Sequence, residues 1–139
     1  MSRLVVIVDN VPEICVVLRM VIEELFRPLV ESGDLRIETA SNGETAAALC
    51  LRERPDLVFM DVDMPGADGV STFYRIRDTD PQLATRLYFL TGMTAGIDLP
   101  RRLATAVEQG AAGVLVKPVS ADQLQRIVTT QLALADLEG

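Results

Sequence analysis

Five short apolar runs with helix-like segments between them constrain this chain more than any other feature. They are Leu4–Val8, Leu35–Thr39, Leu57–Met60, Leu87–Leu90 and Val114–Val116. Runs this short and this continuously apolar suit strands buried on both faces, and strands that alternate with helices build a parallel sheet. Between the first two runs, Pro12 suits a first helical turn, and Ile14, Val17, Leu18, Val21, Ile22 and Leu25 recur at helical spacing as a core-facing stripe. Pro28 is expected to end or kink that helix, leaving Phe26–Asp34 as a long link. Asn42-Gly43 makes a turn, Thr45–Arg54 reads as a helix, and Pro55-Asp56 punctuates the entry to the third strand. Further helices are predicted over Gly69–Asp78, Arg101–Gln109 and Ala121–Leu137, with Gly110 as a C-terminal stop and Ser120 as an N-cap. Leu124, Ile127, Val128, Leu132 and Leu134 form the stripe of the last helix. The expected architecture is βαβαβαβαβα: five parallel strands with right-handed crossovers, one domain over residues 1–139.

Charge and cysteine usage narrow the function classes. The 13 basic residues against 20 acidic ones leave a formal charge of −7, which repels a phosphate backbone and argues against direct nucleic-acid binding. Cys15 and Cys50 lie in apolar, helix-like stretches outside any CxxC or metal spacing and read as reduced core residues. The apolar runs are too short to span a bilayer, and no charged segment followed by an apolar one opens the chain. A cytoplasmic location without membrane contact is expected.

In an open parallel sheet a ligand sits beyond the carboxyl ends of the strands. The residues there are Asp9-Asn10 after the first run, Ser41-Asn42 beyond the second, Asp61 after the third, Thr91 after the fourth and Lys117-Pro118 after the fifth. Neighbouring strands lie about 5 Å apart, so acids, amide, hydroxyl and ammonium can share one pocket. Clustered oxygen ligands with excess negative charge suit Mg2+, an ammonium and a hydroxyl suit phosphoryl oxygens, and a carboxylate would be the acceptor. Asp61 is the better acceptor than Asp9, being central and followed by the turn Val62-Asp63-Met64-Pro65-Gly66. Arg101-Arg102 reads as a solvated pair.

The set Val8-Asp9, Asp61-Val62-Asp63-Met64-Pro65-Gly66-Ala67-Asp68-Gly69, Leu90-Thr91-Gly92 and Val116-Lys117-Pro118 resembles a response-regulator receiver domain over essentially the whole chain. The resemblance implies a flavodoxin-like, doubly wound (βα)5 fold with strand order 2-1-3-4-5. It implies Asp61 as phosphoacceptor, Asp9 and Asn10 at the acidic-pair positions, Thr91 as switch hydroxyl and Lys117 as the phosphoryl-contacting lysine, with Mg2+ held by Asp9, Asn10 and Asp61. It implies a phosphohistidine donor, a sensor histidine kinase or phosphotransfer protein, and a downstream partner or output domain. A homodimer through the fourth-helix face belongs to the same expectation. Such a chain takes part in its own phosphorylation and dephosphorylation and is not a turnover enzyme.

Three departures from the pattern stand out. Asn10 occupies what is usually a second carboxylate position, where one unit charge at about 4 Å is worth at most about 4 kcal/mol at an effective dielectric of about 20, so a weaker Mg2+ site is expected. Asp63, two residues beyond Asp61, is the candidate to return part of that charge as a further metal ligand. Val114 stands where the family usually carries an aromatic, and Met93–Pro100 reads as an enlarged loop. Two rival readings follow. One is a pseudo-receiver that binds partners without phosphorylation, argued from Asn10 and Val114. The other is a phosphatase using Asp61-Val62-Asp63 as a DxD pair, although Pro65 stands where that motif has Thr or Val.

Overall fold

The computed structural model describes residues 2–64, 68–92 and 98–133. The elements run β1 (Arg3–Val8), α1 (Pro12–Leu25), α2 (Arg27–Ser32), β2 (Leu35–Ala40), α3 (Gly43–Glu53), β3 (Leu57–Asp61), α4 (Gly69–Thr79), α5 (Pro81–Ala84), β4 (Leu87–Thr91), α6 (Asp98–Glu108), β5 (Gly113–Val116) and α7 (Ala121–Gln131). The strands form one five-stranded sheet in the order β2-β1-β3-β4-β5, and each neighbouring pair is parallel. This is the flavodoxin-like arrangement the sequence predicts.

Burial explains why the central strands read as unbroken apolar runs. Every residue of β3 is buried, as are Leu4–Val8 of β1. The edge strands differ: β2 alternates between buried and exposed positions, and in β5 only Leu115 is buried. Because successive side chains point to opposite faces, two cores form. Val5, Ile7, Leu57, Phe59, Leu90 and Leu115 pack on one face with Ile22 of α1 and Leu124 and Val128 of α7. Val6, Val8, Val58, Met60 and Phe89 pack on the other with Ala46 and Cys50 of α3, Phe73 of α4 and Leu103 of α6. Both cysteines are buried free thiols, as expected, and burial pushes the Cys50 thiol up to about 12. Among the described residues no helix is long and apolar enough to cross a membrane.

Several boundaries differ from the sequence reading. α1 ends at Leu25, just before Pro28, without a kink, and Pro28 then lies in the first turn of a second helix, α2, where its missing N–H costs nothing. The expected link is therefore largely helix. Pro81 opens the unpredicted one-turn α5 in the same way, capped by the Asp80 side chain. α6 begins at Asp98, three residues earlier than expected, with Pro100 in its opening turn. Val17 belongs to the predicted core stripe yet is 57% exposed, because α1 presents that side of its surface to solvent. α7 ends at Gln131; Leu134 and Leu137 lie outside the described residues, as do Met93–Ile97 of the predicted loop and Pro65–Ala67 of the predicted turn. Two predicted caps hold. Ser120 and Gln123 form a reciprocal capping box at α7, and Gly110 takes the left-handed conformation (φ 122°) that closes the segment after α6.

Candidate functional site

The site is assembled by strand parity. Asp9 follows β1 on the parity of Ile7, Asp61 ends β3 on that of Phe59, and Lys117 follows β5 on that of Leu115. All three side chains thus leave the sheet on the α1/α7 face, at the carboxyl edge. The ladder fixes their depth: Asp9 N–H donates to the Ala40 carbonyl (3.1 Å), Val62 N–H to that of Leu90 (3.1 Å), and Lys117 N–H to that of Thr91 (2.8 Å). The Lys117–Pro118 peptide is cis.

Lys117 Nζ donates to Asp9 Oδ2 at 3.0 Å and to Asp61 Oδ1 at 2.9 Å. Asp9 is fully buried and Asp61 is 2% exposed, whereas the Lys117 side chain keeps 26% of its surface open. The remaining Asp9 oxygen, Oδ1, accepts from the Val11 N–H at 2.9 Å, tying the carboxylate to its own following turn. Burial pushes the Asp61 carboxyl above the usual carboxylate range; the negative charge of Asp9 adds to this, against the opposing hydrogen bonds from Lys117 and the Asp63 backbone. Burial acts on Lys117 in the lowering direction, but the hydrogen bonds and charges of Asp61 and Asp9 outweigh it and hold the ammonium above the ordinary lysine value. Two carboxylates share one ammonium, so the ionised trio carries one uncompensated negative charge.

That excess charge on buried oxygens fits a hard divalent cation. Asp9 and Asp61 supply the carboxylates. Asn10 and Asp63 both stand exposed at the rim, and among the described residues no three acids, cysteines or histidines gather in a metal-holding group. Asp63 therefore does not join Asp9 and Asp61 in a closed acidic cluster, and its backbone rather than its carboxylate meets Asp61. Thr91 is buried at the end of β4. Its parity is that of Phe89, so it stands at the same sheet edge on the side of α4 and α6.

Two features near the site escaped the sequence reading. A Cβ on Gly69 would collide with the Asp61 carbonyl oxygen and lie 3.0 Å from Met60 Cγ. The first turn of α4 is thus pressed on the backbone of Asp61, and only glycine allows it. Gly69→Ala is expected to lower stability by about 1–3 kcal/mol and to displace the Asp61 backbone; urea unfolding checks the first part, and an unchanged midpoint would contradict it. The second feature is Arg102, expected to be solvated, whose Nη2 reaches both oxygens of Asp68 (2.9 and 3.2 Å) while Asp68 Oδ1 caps α4 through the Ser71 N–H. An Asp before a helix start is a legible cap; its partner on α6, 34 residues away, is not.

Residues 5–129 match the family model of the response regulator receiver domain. The chain is 28% identical over 132 residues to the chemotaxis protein CheY of Bacillus subtilis, covering 95% of this chain and 99% of that protein. It is 36% identical over 104 residues to the transcriptional regulatory protein AfsQ1 of Streptomyces coelicolor, covering 75% of this chain but 43% of that one, so it spans less than half the length of that relative. Among solved structures, the signal receiver domain of a DNA binding response regulator from Colwellia psychrerythraea 34H aligns with a TM-score of 0.76 at 25% identity, over 95% of this chain and 99% of that one. A response regulator receiver domain protein from Clostridium thermocellum shares the fold with a TM-score of 0.77 at 21% identity, each chain covered to 99%.

Proposed function

This chain belongs to the response regulator receiver domain family, and from that premise we propose that it is a phosphorylation switch in which Asp61 accepts a phosphoryl group from a phosphohistidine of a sensor histidine kinase or phosphotransfer protein. The observation that carries the reading is the double hydrogen bond of Lys117 to Asp9 and Asp61, which gathers three strand ends around one ammonium. Asp61 is the acceptor: its carboxylate oxygen attacks phosphorus as the phosphorus–nitrogen bond breaks and the electron pair returns to the imidazole. Lys117, already within hydrogen-bond distance of that carboxylate, neutralises a phosphoryl oxygen. Thr91, at the adjoining strand end, supplies a hydroxyl that senses the new group. Asp9, Asp61 and the Asn10 amide oxygen are the groups that would hold Mg2+, with Asp63 adding charge from the rim; the ion supplies neutralisation of the incoming phosphoryl charge. The chain acts as a cytoplasmic signalling module and not as a turnover enzyme. Family membership leaves the DxD phosphatase reading without support.

An apolar groove of about 470 Å3 between α1 and the β5–α7 connection supports a protein donor. Ile14, Val17, Leu18, Pro118 and Val119 line it, with Lys117 at its end, and Val16, Val17 and Met20 expose the neighbouring face of α1. A partner seated there would hold its phosphohistidine beside Lys117. Val17→Asp is expected to abolish transfer from a phosphohistidine protein while leaving phosphorylation by a small donor intact; equal loss of both would show that the groove is not the docking surface.

Incubation with a small phosphodonor and Mg2+, followed by intact mass, tests the function itself. The parent chain is expected to gain one phosphoryl group and Asp61→Ala none; a gain by both, or by neither, overturns the proposal. Calorimetric titration addresses the metal. Asn10→Asp should tighten Mg2+ binding and Asp63→Asn should weaken it, and unchanged affinities would remove both residues from the ion's surroundings.

A further inference from the structure

A second polar feature lies away from the Asp61 trio, in the groove between α4 and α6. It encloses about 230 Å3 and is lined by Val70, Ser71 and Tyr74 of α4 and by Arg101, Arg102 and Thr105 of α6. Two arginines and three hydroxyl-bearing residues thus line it, and no acid is among the described residues that do, in a chain whose formal charge is −7. Arg102 already holds a carboxylate at the rim, since its Nη2 contacts both oxygens of Asp68. Arg101 is exposed and makes no ion pair among the described residues. The apolar surface of Val70 and the ring of Tyr74 offer packing for the stems of side chains whose charged ends meet the arginines.

We propose that this groove docks an acidic segment of a partner protein, with Arg101 as the principal anchor and the Tyr74 and Thr105 hydroxyls as supporting donors. Charge complementarity carries the choice of occupant. A guanidinium pairs with carboxylates through a planar fork, and the hydroxyls can satisfy the oxygens the fork leaves over. A surface groove lined from two helices suits side chains presented along an extended chain better than an enclosed small molecule. A basic partner would meet the two arginines directly and be repelled at the contact itself. The docking does not depend on phosphorylation of Asp61, so it stands or falls separately from the proposed function.

The probe is a fluorescently labelled hexaglutamate peptide, titrated into the full chain at low ionic strength and followed by anisotropy and by amide chemical shifts of the isotopically labelled protein. Binding is expected to shift the amides of Ser71, Tyr74 and Thr105, to weaken as salt is added, and to persist in Asp61→Ala. Arg101→Gln, a change at an exposed side chain, should weaken it about tenfold, the loss of one charge-assisted pair, whereas Arg126→Gln on α7 should leave it unchanged. Binding no tighter than that of hexaglutamine overturns the proposal, as does equal weakening by Arg126→Gln. Inorganic phosphate that shifts the same amides and competes as well as the peptide would identify a small-anion site and overturn it too.

Discussion

Replacing Lys117 with alanine is expected to destabilise the fold by about 3–5 kcal/mol at neutral pH, because it leaves two buried carboxylates facing each other without a counter-ion. Asp9 and Asp61 each accept from Nζ at 3.0 and 2.9 Å and are almost wholly shielded from water. The sign of the pH dependence follows from Asp61. Its carboxyl already lies above the ordinary range with Lys117 in place, through burial first and the charge of Asp9 next, and without the ammonium it is held higher still. A carboxyl whose folded pKa exceeds its unfolded value binds its proton more tightly in the native state, so stability is gained as pH falls through that window and lost as pH rises through it. The deficit of Lys117→Ala should therefore be largest at neutral pH, shrink on acidification and be partly offset by Mg2+, which replaces the missing positive charge. Urea unfolding of parent and variant across the acid-to-neutral range measures this. A deficit that stays constant with pH would mean that the lysine contributes packing and not charge.

Asp61→Asn should give the opposite response in stability and a complete loss of function. Removing one of the two carboxylates leaves Lys117 paired with Asp9 alone, and a neutral pair replaces a trio with one charge in excess. The variant is expected to be more stable than the parent by about 0.5–2 kcal/mol at neutral pH, the usual return when a functional site is relieved of a strained charge. It should accept no phosphoryl group, and added Mg2+ should raise its stability less than it raises that of the parent. Denaturant midpoints with and without Mg2+ decide the matter; a lower midpoint for Asp61→Asn would show that the excess charge costs the fold nothing.

The two predictions rest on residues that were legible in the chain alone, and the reason is geometric. β1, β3 and β4 are buried on both faces, so they read as unbroken apolar runs, and the first polar residue after each run marks the carboxyl edge of the sheet. Asp9, Asp61 and Thr91 stand out in that way and Lys117 after the shorter edge run Val114–Val116, and the odd–even alternation of strand side chains then sends Asp9, Asp61 and Lys117 to one face. What the sequence hid depends on neighbours distant along the chain. Val17 fits the helical stripe of α1 as well as Ile22 does, but only packing tells which edge of a stripe is covered, and that edge of α1 is not. Pro28 reads as a break because a proline excludes continuation of a helix without excluding the start of another, and Pro81 opens α5 by the same rule. Gly69 was legible as a helix start, while its contact with the Asp61 carbonyl required the path of the chain from β3 into α4. The pairing of Arg102 with Asp68 joins two helices through residues that carry no local signal of each other. Asn10 and Asp63 stand exposed at the rim, beyond the strand positions whose alternation places Asp9 and Asp61.

The central claim is that one carboxylate, Asp61, is the reactive group of the Asp9–Asp61–Lys117 trio. Phosphorylating the chain with a small phosphodonor and Mg2+, reducing the acyl phosphate with borohydride and mapping the resulting homoserine by peptide mass spectrometry locates the acceptor directly. Homoserine at position 61 alone is the predicted result. Homoserine at Asp9, Asp63 or Asp68, or none at all from a folded chain in the presence of Mg2+, would contradict the assignment, and the last outcome would favour an interaction module that keeps the fold without the chemistry.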